Sequence, residues 1–280
     1  MSNCSFVKTD KEMAYVQDGA NAAWMKNCEG LYVAWSADAA ILAKVVPAPL
    51  KLAAPLVIAY VIETHNPTFS TAYKEAALLI PVTNGDKGGN YSVALLLTGS
   101  DNPVTTGREE FGIPKKNASA IELRRLGDKA YATVERMGVQ ILDIEVELGN
   151  YNTEMGANVF GNRVLNEFID GVSYFHKFDI DQDSQCNVSF SNLRLINVRS
   201  CLRYHTWEPG AAQVELKPSI NDPWAELAVL QPLGAAWATF DLGLLGCQEQ
   251  IALSNIDEVI PRLIAGRYDS PFFGAKNQIL

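Results

Sequence analysis

Short apolar and β-branched runs bounded by Gly, Asn, Asp or Pro dominate the first hundred residues: LYVAW at 31–35, PLVIAYVIE at 55–63, AALLIPVT at 76–83 and YSVALLLT at 91–98. Runs of this length, cut by turn formers, predict strands. Asn84-Gly85 and Gly88-Gly89 fall between the last two, which predicts an antiparallel hairpin. From 119 to 149, SAIELRRLG, AYATVERMG and VQILDIEVELG follow one another in the rhythm of a β-meander. NVSFSNLRLINVRSCLRYHTW and GAAWATFDLGL carry the pattern into the second half.

Helical patterns are fewer. Ser36 and Asp38 are placed to cap ADAAILAKVV, which Pro47 stops; NRVLNEFID at 162–170 reads as an amphipathic helix; SNIDEVIPRLIAG reads as a helix interrupted by Pro261. No internal repeat, low-complexity tract or Pro/Gly/Ser-rich linker divides the chain. The expected architecture is therefore one domain over 1–280, mainly β (α+β), with sheets closed on themselves or packed face to face.

Composition narrows the function classes. The 280 residues are 48% hydrophobic and 20% charged, and a net charge of -9 argues against sequence-independent nucleic-acid binding, which needs a basic footprint. The longest apolar run, LAAPLVIAYVI at 52–62, contains Pro55 and falls short of the roughly 18 residues of a membrane span. The start, MSNCSFVKTDKEMAY, carries charges where a signal peptide needs apolar residues. Cys4, Cys28, Cys186, Cys201 and Cys247 are odd in number and contain no CxxC pair. A cytoplasmic protein without membrane partners is expected.

Several constellations drop out. DIDQDSQCNVSF at 179–190 opens with calcium-loop spacing but has Ser184 where the loop needs Gly and Phe190 where it needs Glu. His65, His176 and His205 lie too far apart for a metal-ligand pair, so no metal is expected. No dinucleotide fingerprint, phosphate-binding loop or G-x-S-x-G elbow occurs, which removes nucleotide cofactors and serine hydrolysis.

GREEFGIPKK at 107–116 is different. Pro114 biases Ile113 toward an extended conformation, so Lys115 and Lys116 enter a strand and point to opposite faces. One of the two then faces an apolar interior. Burial disfavours the charge of an amine, and an ordinary lysine, with pKa about 10.4, is only about 0.04% neutral at pH 7. A desolvated lysine is a nucleophile.

The segment resembles the active-site motif of the acetoacetate decarboxylase family, Gly-Arg-Glu, a short spacer and Pro-Lys-Lys. KVVPAPL at 44–50, YKEAALLIPV at 73–82, NGDKGGNY at 84–91 and HTWEPGAAQVEL at 205–216 extend the likeness over about residues 30–245. The resemblance implies a cone-shaped antiparallel β-barrel with a few peripheral helices, assembled into homo-oligomers, with neither metal nor organic cofactor. It implies that Lys115 forms a Schiff base with a small-molecule keto acid, that Lys116 is the cationic neighbour credited with activating it, and that Glu75 lines the pocket. The family is a standard example of a lysine activated by desolvation or by a neighbouring cation; opposite-facing side chains favour desolvation here.

Departures from the pattern bear on substrate. By spacing, Cys28 stands where the family has a pocket arginine and Tyr60 where it has a second glutamate; Phe111, four residues before Lys115, offers no hydrogen bond. Arg108 completes the expected substrate-binding group, or pairs with Glu109 to hold the loop. Residues 150–170 are longer than the family's minimal form. The leading expectation is decarboxylation of a β-keto acid more apolar than acetoacetate. The alternatives are aldol condensation with dehydration on pyruvate-type 2-oxo acids through the same imine, or a barrel that binds carbonyl ligands without turnover.

Overall fold

In the computed structural model, which describes residues 5–17, 23–161 and 163–269, the early apolar runs become long neighbouring strands. They are β1 (Ala23–Ser36), the short β2 (Lys51–Leu52), β3 (Leu56–Pro67), β4 (Tyr73–Asn84) and β5 (Lys87–Thr98). The expected hairpin joins β4 to β5 at Asn84↔Lys87, with Gly85 at φ 59, a conformation that costs a glycine little. Next come β6 (Lys115–Asn117) and the predicted meander of β7 (Ala120–Leu126), β8 (Lys129–Arg136) and β9 (Val139–Leu148). Three long strands complete the set: β10 (Phe168–Gln182), β11 (Val188–Leu216) and β12 (Gln231–Ala252).

Pairing runs in the order β10, β5, β4, β3, β1, β12, β11, and β11 pairs back with β10, so seven strands close a ring. The closed sheet fits the expected barrel. Not all of it is antiparallel: β5 pairs in parallel with both β6 and β10, because neither reaches it through a hairpin. The meander leaves the ring at β11 and packs Ile121, Val134 and Ile144 into the larger core cluster, against Leu31, Val33, Ala76, Leu78 and Leu96 of the ring strands. Residues of opposite parity, including Ile62, Ala77, Leu95 and Leu97, belong to a second cluster with Phe175, Tyr204 and Phe240. Strand alternation thus separates a structural face from the face that forms the site.

The helices are α1 (Asp10–Gln17), α2 (Ala39–Val45), α3 (Asn102–Thr106), α4 (Glu154–Phe160) and α5 (Ile256–Leu263). Asp38 caps α2 as expected, accepting from the amides of Ala40 and Ile41. Helix α5 runs through Pro261 instead of breaking there. The helix expected at 162–170 does not form over its described residues: Arg163 onward is loop, and Phe168, Ile169 and Asp170 already pair with Arg203, Leu202 and Cys201 as the start of β10. Ladder bonds to β11 outweigh an apolar spacing that fits either element. In the acidic stretch, Asp183 accepts from the amides of Gln185 and Asn187, which makes it a turn-forming carboxylate. No helix among the described residues is long and apolar enough to cross a membrane.

One buried titratable group on β10 gives a stability prediction. His176 is 1% exposed, its Nε2 donates to the Ala48 carbonyl at 3.2 Å, and its ring meets Tyr91 edge-on at 6.0 Å. Burial pushes its pKa down to about 4. The unfolded chain, at an ordinary value near 6.5, takes up the proton first as pH falls. The contribution is therefore whole above about pH 6.5 and is lost as pH falls toward 4, by about 3 kcal/mol. Urea unfolding at about pH 7.5 and 4.5 should show most of this difference vanish in His176→Asn; an unchanged difference would assign it to other groups.

Candidate active site

The lysine motif is built as a tight double turn. After α3, Gly107–Phe111 forms a π-helical turn, Ile113 N–H donates to Gly107 O at 3.0 Å, and Gly112 N–H donates to Arg108 O at 3.0 Å. Gly112 has φ 71, and a Cβ there would lie 2.6 Å from the His176 carbonyl oxygen, so both handedness and space demand glycine. Gly107 is required for another reason: a Cβ would sit 2.9 Å from Cδ and 3.0 Å from Cε of Lys115. The nucleophile candidate lies against a bare backbone. Arg267, buried, braces the turn from behind, its Nη2 donating to the carbonyls of Gly112 and His176.

Past Pro114 the chain enters β6, where Lys115 is level with Leu95 and Lys116 with Leu96 of β5. The two lysines face opposite ways, as the strand geometry predicts. Lys115 is 6% exposed, and its Nζ lies 3.3 Å from Oε2 of Glu75, itself 3% exposed. Glu75 comes from β4, whose register sets it beside Leu97 of β5. Tyr60 Oη, from β3, donates to Oε1 of Glu75 at 2.5 Å. Each oxygen of the carboxylate thus has its own donor. Burial and the Glu75 carboxylate hold the Tyr60 phenol well above its ordinary pKa, so it stays a donor.

Lys116 has a different role from the one expected of it. Its Nζ is 2.6 Å from Asp222 and 3.5 Å from Asp269, and it donates to the carbonyls of Asn221 at 2.8 Å and Ala265 at 3.0 Å. Arg136 shares both acids, 2.9 Å from Asp222 through Nε and bonded to Asp269 through Nη2. This network sits on the structural face and anchors β6. Sequence reading could not supply Asp222 and Asp269, which lie more than a hundred residues downstream without a local signal.

The pocket before Lys115 has a volume of about 290 Å³. Tyr60, Tyr73, Glu75, Leu95, Ile113 and Phe175 line it near the lysine. An adjoining cleft of about 440 Å³ shares Phe69, Ile113, Lys115 and Leu244 with it and adds Trp24 and Phe111. Lys115 therefore stands where a mainly apolar pocket meets a cleft of mixed polarity that includes Thr68, Thr106 and Glu110. Phe111 is a wall of the cleft and not of the inner pocket.

Cys28 and Arg108 are not brought to the pocket. A bulge in β1 between Met25 and Cys28, with Asn27 at φ 54, leaves both in the second cluster, but Met25 lines the pocket while the Cys28 thiol packs 3.4 Å from Thr64 Oγ1. Desolvation pushes the Cys28 thiol up to about 12, so it is a neutral packing group. Arg108 lies 5.0 Å over the ring of Tyr268. No ion pair with Glu109 forms among the described residues. Sequence reading missed Tyr73, which donates to Met25 Sδ at 2.9 Å, although its place two residues before Glu75 put both on one strand face. It also missed Arg163, which lies in the segment misread as a helix and lines the inner pocket.

A ring of seven strands enclosing a buried lysine–glutamate pair defines a class of enzyme-like barrels, and sequence comparison gives the class its family. Residues 7–249 match the acetoacetate decarboxylase (ADC) family, and the chain belongs to it. It is 38% identical over 278 residues to the CLA biosynthesis isomerase of Lactiplantibacillus plantarum, an alignment that covers 97% of each chain. It is 36% identical over 216 residues to an acetoacetate decarboxylase of Burkholderia multivorans, covering 77% of this chain and 83% of that one. The fold matches the acetoacetate decarboxylase structure from Legionella pneumophila with a TM-score of 0.68 at 17% identity, covering 84% of this chain and 88% of that one.

Proposed function

We propose that Lys115 forms a protonated imine with a ketone whose substituents are apolar, and that Glu75 then moves a proton along the adjacent carbons so that a neighbouring double bond shifts position. The observation that carries this reading is Glu75 held between Lys115 and Tyr60 in a mainly apolar pocket. Transfer of one proton from Lys115 Nζ to Glu75 leaves a neutral amine to attack the carbonyl; Glu75 then returns that proton to the carbinolamine hydroxyl, which leaves as water, giving the iminium and restoring the Glu75 carboxylate. The iminium acidifies the carbon-bound protons beside the conjugated system. Glu75 takes one, the electron pair flows toward nitrogen to give a dienamine, and return of the proton to a different carbon relocates the double bond. Hydrolysis releases the isomer and the lysine. Tyr60 keeps the carboxylate aimed and shares its changing charge.

Isomerisation needs a base that both removes and returns a proton, and Glu75 is positioned for that. It also agrees with the activity in the name of the relative that aligns end to end. The mainly apolar inner pocket suits a ketone that carries an apolar chain better than the methyl ketone of a small acid. The second reading is decarboxylation of an apolar β-keto acid, in which the same iminium accepts the electron pair left by CO2; the Burkholderia multivorans relative favours it. Either activity makes the protein a Schiff-base enzyme that acts on a keto compound with no group beyond its own side chains.

A long-chain conjugated enone incubated in heavy water distinguishes the two. Isomerisation predicts deuterium at the carbons on either side of the migrating double bond and conversion between enone isomers. A matched β-keto acid should lose CO2 more slowly than the enone exchanges. Rapid CO2 release with no exchange into the enone would replace the isomerase reading with the decarboxylase one.

A further inference from the structure

Arg163 stands in the wall of the inner pocket without a carboxylate of its own. Its guanidinium lies 5.6 Å from the ring centre of Tyr204 and 5.0 Å from that of Trp207, two rings that meet edge to face at 5.0 Å. Trp207 is fixed in turn by its indole N–H, which donates to Tyr151 Oη at 2.9 Å. Contact with the two rings holds the guanidinium in place but uses none of its N–H donors. Nε of Arg163 is buried with no hydrogen-bond partner, and among the described residues no acid lies within ion-pair distance of it. Asp170, the other acid in the same wall, is engaged by Arg199 at 3.0 Å.

A buried guanidinium donor left unpaired is costly unless a ligand completes it. Arg163 also lines an outer depression with Tyr151, Ala157, Gly161, Leu165 and Trp207, so it stands between the inner pocket and the surface. We propose that Arg163 is the anion anchor of the site and receives the carboxylate of an amphiphilic keto acid whose ketone reaches Lys115. The proposal rests on the imine reading for the ketone end and on the Arg163 geometry alone for the carboxylate end. It commits the substrate class to long-chain oxo acids, with ketone and carboxylate separated by an apolar stretch that lies along Tyr32, Tyr60 and Tyr204. Arg163 makes no hydrogen bond among the described residues, so its N–H donors are available to a carboxylate, and a guanidinium can meet a carboxylate through two parallel bonds.

Borohydride labelling of Lys115 tests it with two probes: an oxodecanoic acid whose ketone is at the end remote from the carboxylate, and its methyl ester. In Arg163→Gln the acid should need a concentration about 30-fold or more higher for half-maximal labelling, the loss expected when a buried charge-assisted contact is cut. The ester should change by less than about threefold, and Arg163→Lys should recover part of the loss for the acid by restoring the charge. Equal losses for acid and ester would mean that Arg163 only shapes the wall, and no loss for either would place the carboxylate elsewhere; both overturn the proposal. Calorimetric binding of decanoate, which has no ketone, keeps the test separate from the imine. If neither probe labels wild-type Lys115, the Schiff-base reading fails, while decanoate binding that depends on Arg163 upholds the anchor and binding indifferent to it rejects it.

Discussion

Replacing Lys115 with glutamine is expected to lower turnover by about four orders of magnitude or more and to remove all borohydride-trapped adduct, while the protein stays folded. Loss of a covalent nucleophile costs this much because the groups around it act as a unit. The fold should survive because glutamine keeps most of the side chain packed over Gly107 and its amide can still donate to Glu75. Lys116→Gln should do the reverse. It leaves Asp222 buried with Arg136 as its remaining partner, and breaking a buried pair from one side costs about 3–5 kcal/mol of stability. Labelling of Lys115 per folded molecule should persist in that variant. Peptide mass mapping of the adduct, with urea unfolding of both variants, checks the pair of outcomes; an adduct that survives Lys115→Gln removes the nucleophile assignment.

Glu75→Gln separates proton transfer from imine formation. The amide has nearly the same shape and its oxygen can still accept from Tyr60, but it cannot take a proton from carbon. Deuterium exchange into a conjugated enone should fall by about 10²–10⁴-fold, the usual contribution of a positioned general base. Imine trapping at Lys115 should slow yet remain detectable, since an unprotonated fraction of the amine still forms without its internal acceptor. A variant that exchanges within about tenfold of wild type would point to a base other than Glu75.

The centre of the site was legible partly by local rule, which set the two lysines on opposite faces, and partly by resemblance to the family, which singled out Lys115 and Glu75. Proline before two lysines implies a strand, a strand implies opposite faces, and the same period puts Tyr73 and Glu75 on one side of β4. Turn formers likewise marked the β4–β5 hairpin and the meander. What stayed hidden depends on contacts far apart in the chain. Cys28 was placed at the pocket by its spacing along the chain, and spacing cannot show that the bulge at Asn27 brings Met25 to the same side, where Met25 takes the wall and Cys28 packs against Thr64. Arg163 was lost when an apolar spacing was read at the helical period, although Tyr174, His176, Phe178 and Ile180 show the two-residue period of β10 beneath its acidic end. The acids around Lys116 were invisible because salt bridges have no sequence period.

The bracing of the lysine turn by the distal end of the chain fixes when the protein can begin to work. Lys116 and Asp269 are 153 residues apart, and Arg267 and Gly112 are 155 apart. A ribosome adding about 5–20 residues per second takes roughly 10–30 s to cover that distance. During that interval the first hairpins are made, yet Lys116 has no counter-ion from Asp269 and the strand that closes the ring between β1 and β11 has not emerged. Until Asp222 and Asp269 are made, Lys116 has neither of its acids, which keeps this stretch hydrated and resists its premature burial. β6 is therefore locked in place only once residues 222–269 have been made, and the imine chemistry proposed for Lys115 waits on them.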